Sequence, residues 1–193
     1  MPESLDVKIQ CAARHEPGHI VVAAAQGLRV RQEGIILDSF GEGLACYCKQ
    51  PDGSDVSRKR TIVATFAGFY AERRFREQNA YALTDQEYWF YYSSDGREAN
   101  DLLSAISIEN LLNGNVPATR VTLQSQSKQL VEQHWAAVEA LASTLLAKDW
   151  QDWMPLKSGA KFSPATTAKY LRGEEVVTIL ARHRISAICA TDC

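Results

Sequence analysis

Ala13-Arg14-His15-Glu16-Pro17-Gly18-His19-Ile20-Val21-Val22-Ala23-Ala24-Ala25 is the stretch around which this chain organises. Its spacing predicts a helix from about Val7 to Gln26, with Gly27 as a natural C-terminal stop. The run from Ile20 to Ala25 is apolar on every side, so the helix belongs in the core. Within it, His15 and His19 stand four residues apart, which places both imidazoles on one helical face. Together with Glu16 they spell H-E-x-x-H, a pattern in which two histidines grip one zinc ion. The intervening glutamate is placed to take a proton from a metal-bound water. Two of the four histidines in the chain are used here. Pro17 sits inside the motif, where it removes one helical hydrogen bond and crowds the carbonyl of Ala13. Either the helix kinks there or it starts late enough to hold Pro17 in its first turn.

Two short strands follow, Glu33 to Ser39 and Gly43 to Lys49, joined by a turn at Phe40-Gly41-Glu42-Gly43. A loop at Pro51 to Asp55 leads into a second helix, about Ser57 to Gln78. Ile62, Val63, Phe66, Phe69, Tyr70 and Phe75 recur there at core spacing, and Ala67-Gly68 lets a neighbouring helix approach closely. The aromatic segment Tyr81 to Tyr92 reads as packing under a loop. A third helix spans about Arg97 to Leu112, and a long one Ala118 to Ala147. The buried side of the long helix is expected to carry Val121, Leu130, Val131, Trp135, Val138, Leu141 and Leu145. Ser163-Pro164 signals a short helix ending near Leu171. Gly173 marks a break before a last helix, Glu174 to His183.

With 193 residues, 46% of them hydrophobic, the chain can bury a sizeable core as one domain. It divides into a metal-site half, 1–115, and a helical half, 116–193. The net charge of −2 gives no electrostatic case for nucleic acid or an anionic membrane. Arg58-Lys59-Arg60 reads as a solvated helix start. The start of the chain is polar and acidic, and no apolar run is long enough to cross a bilayer, so a cytoplasmic location is expected. Five cysteines, an odd number, argue against a disulfide framework. Cys46 and Cys48 would share one face of a strand, but a second metal site there would need two more ligands.

A catalytic zinc site needs a third protein ligand. No H-E-x-x-H-x-x-G-x-x-H extension is present, because Val22 and Ala25 occupy its positions. His134 and His183 read as packing or surface residues. Asp95, Glu98 and Asp101 cluster at the start of the third helix, where acidic groups also suit the helix dipole. Glu72 could ligate the metal or support a ligand, although a helix-surface ion pair is the commoner fate of such a residue.

Several segments, in order, resemble the peptidase domain of the FtsH family of membrane-bound ATP-dependent zinc proteases. Ala13 to Ala23 is similar to that family's A-x-H-E-A-G-H-A segment. Ile35-Ile36 through Gly43-Leu44-Ala45 resembles its strand and turn. Ala67-Gly68-Phe69-Tyr70-Ala71-Glu72 resembles A-G-R-x-A-E, and Ala99-Asn100-Asp101-Leu102-Leu103-Ser104-Ala105 resembles its S-N-D segment. Tyr170 to Val176 is similar to its weaker L-x-G-E-E element. The resemblance implies a mainly α (α+β) fold, a helical zinc-peptidase domain with a small β-hairpin or sheet edging the active site. It implies Asp101 as third zinc ligand beside His15 and His19, with Glu16 as general base. It also implies a peptide or unfolded-protein substrate lying along an edge strand, here Gly43 to Cys48.

The chain departs from the family at Pro17, where Ala is usual, and at Phe69, where a basic residue is common. It carries neither an ATPase module nor a transmembrane segment. The resemblance therefore implies ATP-independent zinc metalloendopeptidase activity, and leaves open a separate ATPase partner and a homo-oligomer. Two alternatives stand beside it: a catalytically inactive or regulatory binding domain with structural or absent zinc, and a zinc hydrolase acting on another bond.

Overall fold

The computed structural model describes residues 4–49, 52–79, 81, 104–112, 116–152 and 167–191. Helix α1 runs Leu5–Ala25 and continues through Pro17, which therefore lies in its interior and not in its first turn. Ser4 caps its start, accepting a hydrogen bond from the amide of Val7. Gly27, at φ 77°, ends it. The Gly27 amide donates to Ala24 and the Leu28 amide to Ala23, so the last carbonyls are satisfied and Leu28 turns into the core. Every residue from Ile20 to Ala24 is buried, as an all-round apolar helix requires.

Strands β1 (Val30–Asp38) and β2 (Gly43–Tyr47) form an antiparallel hairpin. Its turn is tied by Asp38, whose Oδ1 accepts from the amides of Phe40 and Glu42. Gly34, at φ 67°, lies where the register between Val30 and Ile35 slips, and a β-carbon there would sit 2.8 Å from the backbone of Arg172 and Gly173. Helix α2 (Asp55–Gln78) starts at the capping residue Ser54 and packs along α1. The contact is close because it is made by small residues. A β-carbon at Gly18 would lie 2.6 Å from Cβ of Ala71 and 2.8 Å from the carbonyl oxygen of Ala67.

Residues 104–109 are helical. The long helix expected over 118–147 is two helices, α3 (Val116–Gln133) and α4 (Trp135–Leu146). His134 interrupts it at φ −109° and ψ 20°, its carbonyl accepting from both Ala137 and Val138. The buried side of α3 is Leu123, Ser127 and Val131, whereas Val121 is exposed. Val138, Leu141 and Leu145 are buried on α4 as expected.

The segment read as a helix ending near Leu171 is instead strand β4 (Thr167–Leu171). It pairs with β1 and buries Ala168 and Tyr170 on one face, a period-2 pattern that pairing to a sheet rewards. Strand β3 (Gln151–Asp152) pairs with β4, so the sheet runs β2-β1-β4-β3. Strand β5 (Cys189–Ala190) joins β1 in parallel. Helix α5 (Gly173–Arg182) begins at Gly173, where close backbone packing excludes a side chain: a β-carbon would sit 2.8 Å from Sγ of Cys189. Among the described residues the architecture is thus α+β and mainly helical, with a small five-stranded sheet. One core cluster joins α1, α2 and the sheet to α3, α4 and α5. Among the described residues no helix is long and apolar enough to cross a membrane. Cys48 is disulfide-bonded, although the odd cysteine count argued against a disulfide framework, whereas Cys11, Cys46 and Cys189 are in no disulfide.

Candidate metal centre

α1 delivers His15, Glu16 and His19 to the α1–α2–β2 junction, all three buried. The rings of His15 and His19 meet edge to face with centroids 4.7 Å apart. Each ring is held from behind through Nδ1. In His19, Nδ1 lies 2.8 Å from the carbonyl oxygen of Ala64. In His15, Nδ1 lies 3.2 Å from Oε2 of Glu72. Both partners are acceptors, so both Nδ1 atoms carry a proton, and a ring in its neutral form then has its lone pair on Nε2.

Those two Nε2 atoms converge over Gly68. A β-carbon at that position would lie 2.6 Å from Nε2 of His15 and closer still to Nε2 of His19. The missing side chain leaves a cradle bounded by two imidazole lone pairs. This donor set fits zinc, which takes neutral imidazole nitrogens whose other nitrogen donates to a carboxylate or carbonyl.

Glu72 is not a surface ion pair. It is 4% exposed and splits its two oxygens: Oε2 takes His15, and Oε1 accepts Nε of Arg76 at 2.7 Å. Burial alone would raise its pKa. The hydrogen bond from His15 and the charge of Arg76 outweigh burial and hold it well below the ordinary carboxylate value. Arg76 itself is 1% exposed.

Glu16 points the other way, toward the sheet. A β-carbon at Gly43, the first residue of β2, would lie 2.7 Å from Oε1 of Glu16. β2 is held in place from its far end, where the hydroxyls of Tyr47 and Thr65 share a hydrogen bond across to α2. It is the terminal strand of the described sheet and pairs only with β1 among the described residues.

Asp101, Asp95 and Glu98 lie outside the described residues. Among the described residues no group of three His, Cys, Asp or Glu side chains surrounds a metal position. His134 lies beside Ala24 and Ala25, lining a cleft with Arg184, and His183 caps the end of α5; neither joins His15 and His19. Reading the sequence did not single out the roles of Gly68, Gly43, the Ala64 carbonyl or Arg76. Only Ala67-Gly68, as a small pair inviting close approach, carried a signal.

No model of a known protein family matches the chain, and no curated protein matches it.

Proposed function

We propose that this chain is a zinc-dependent metallopeptidase of the kind found in the FtsH peptidase domain, acting here on peptide or unfolded-protein substrates. The observation that carries the reading is the convergence of the His15 and His19 Nε2 atoms on the space left by Gly68, with both Nδ1 protons committed elsewhere. His15 and His19 would hold the ion, with Asp101 as the third ligand that the resemblance implies. A bound zinc lowers the pKa of water toward neutrality and polarises the carbonyl to be attacked.

Glu16 is the general base. Its Oε1 accepts a proton from the attacking water and returns it to the nitrogen of the leaving amine. Its place against Gly43 sets that carboxylate at the start of the edge strand β2. A substrate strand added to this edge would run past the carboxylate, held by main-chain hydrogen bonds and therefore tolerant of side-chain sequence.

The test is Glu16→Gln, assayed for bound zinc and for cleavage of an unfolded protein and a peptide library. The expected result is zinc retained and hydrolysis lost. Hydrolysis that survives the substitution overturns the mechanism. Wild-type protein that binds zinc but cleaves no peptide points to the binding-domain alternative, or to another scissile bond.

A further inference from the structure

We propose that Arg76 is a positioning residue for the metal centre: acting through Glu72, it decides which ring nitrogen of His15 carries the proton. The inference rests on the zinc-peptidase reading for its purpose, though not for its geometry. Glu72 and Arg76 are one turn apart on α2, and both are buried. The guanidinium places Nε and Nη2 on the same carboxylate oxygen, Oε1, each at 2.7 Å. This leaves Oε2 turned to Nδ1 of His15. A buried arginine is an obligate donor and cannot lose its proton. The atom of residue 72 that faces Nε and Nη2 must therefore be an acceptor, and its other terminal atom meets His15.

With a carboxylate both atoms accept, so His15 keeps its proton on Nδ1 and its lone pair on Nε2. A glutamine has the same shape but one acceptor and one donor. Arg76 would claim the amide oxygen, and the NH2 group would turn to His15. Nδ1 would then have to accept, the proton would move to Nε2, and the nitrogen facing the cradle would become a donor. The relay therefore predicts a specific non-additivity. Glu72→Gln should weaken zinc binding strongly, and adding Arg76→Met should restore part of it, because the amide is then able to turn its oxygen to His15.

The experiment uses the full chain in three forms: wild type, Glu72→Gln, and Glu72→Gln with Arg76→Met. Zinc affinity is read by chelator competition, and the His15 tautomer by nitrogen-15 NMR of metal-free protein at a pH where the ring is neutral. Glu72→Gln is expected to lose about 10- to 100-fold in affinity, the usual cost of losing a partner behind a metal ligand, and to show the Nε2–H tautomer. The double variant is expected to bind at least about threefold tighter than the single one, with Nδ1–H restored. A double variant that binds no better, with its tautomer unchanged, overturns the role of Arg76. If the double variant does not fold, an Nδ1–H tautomer in Glu72→Gln alone overturns it equally, and Nε2–H supports it. A wild type that binds no zinc while the tautomers follow this pattern overturns the zinc reading and leaves the relay standing.

Discussion

Gly43 opens β2 directly against Glu16, so close that a β-carbon would stand 2.7 Å from Oε1 and 2.8 Å from Cδ of that carboxylate. Glu16 and the start of β2 are thus fitted to each other, and the fit depends on a hydrogen atom in place of a side chain. A β-carbon at Gly43 would meet Cγ of Glu16 first, closer still than Oε1, so Gly43→Ala should displace the Glu16 side chain from Cγ outward, carboxylate included. Bound zinc should be unchanged while the hydrolytic rate falls by about 100-fold, the scale expected for a displacement of roughly 1 Å in a reacting group. Parallel measurements of zinc content and turnover check this; unchanged turnover would mean that Glu16 does not act from this position.

Gly68→Ala should have the opposite profile. The added methyl group enters the space between the two Nε2 atoms, so both rings must rotate away from it. Zinc affinity is expected to fall at least about 10-fold, consistent with displaced ligands. Equilibrium dialysis against zinc reads the loss, and circular dichroism confirms that the helices persist.

Gly18→Ala tests the helix contact apart from the metal. Its methyl group would meet Cβ of Ala71 and the carbonyl oxygen of Ala67, and that backbone cannot swing away as a side chain does. The expected loss is about 1–3 kcal/mol, the range for overpacking a tight core. Urea unfolding of metal-free protein measures it.

Acid should act on the start of α5 in a defined direction. Glu175 accepts from Lys148 at 2.5 Å and from the amide of Arg172 at 3.0 Å, and the lysine bond leads in lowering its pKa from 4.5. A carboxyl whose folded pKa is lowered stabilises the fold fully above its unfolded value and loses that contribution as pH falls through the folded one. Glu175 is partly exposed, so solvent screening holds its contribution below about 1 kcal/mol. The stability gap between wild type and Glu175→Gln should therefore be constant above about pH 5 and close below pH 4, as urea unfolding across that range would read. A gap that widens in acid would contradict the assignment.

Helix α1 was legible because its signals are local: a four-residue histidine spacing, an apolar run and a terminal glycine. Reading further from the motif failed where tertiary contacts decide. Ser163-Pro164 suggested a helix toward Leu171, but Ala168 and Tyr170 are recruited by β1 into a strand. His134 looked like an ordinary position in a long helix, yet the chain turns there. A helix-surface ion pair was the commoner expectation for Glu72, because the sequence around it does not say which face of α2 is covered. The Ala64 carbonyl that orients His19 has no sequence signature at all, since every residue offers a carbonyl. The third ligand expected at Asp101 lies outside the described residues.

The small-residue seam between α1 and α2 also limits how portable this site is. His15 and His19 sit on one helix, but the carbonyl that aims one ring, the carboxylate that aims the other and the glycine that makes room for both belong to the next. Copying the five-residue motif onto another scaffold would transfer the two ring nitrogens without the parts that orient them. The smallest transferable unit is a helix pair locked in register at Gly18, and an engineer who changes that seam re-aims His15 and His19 without touching either residue.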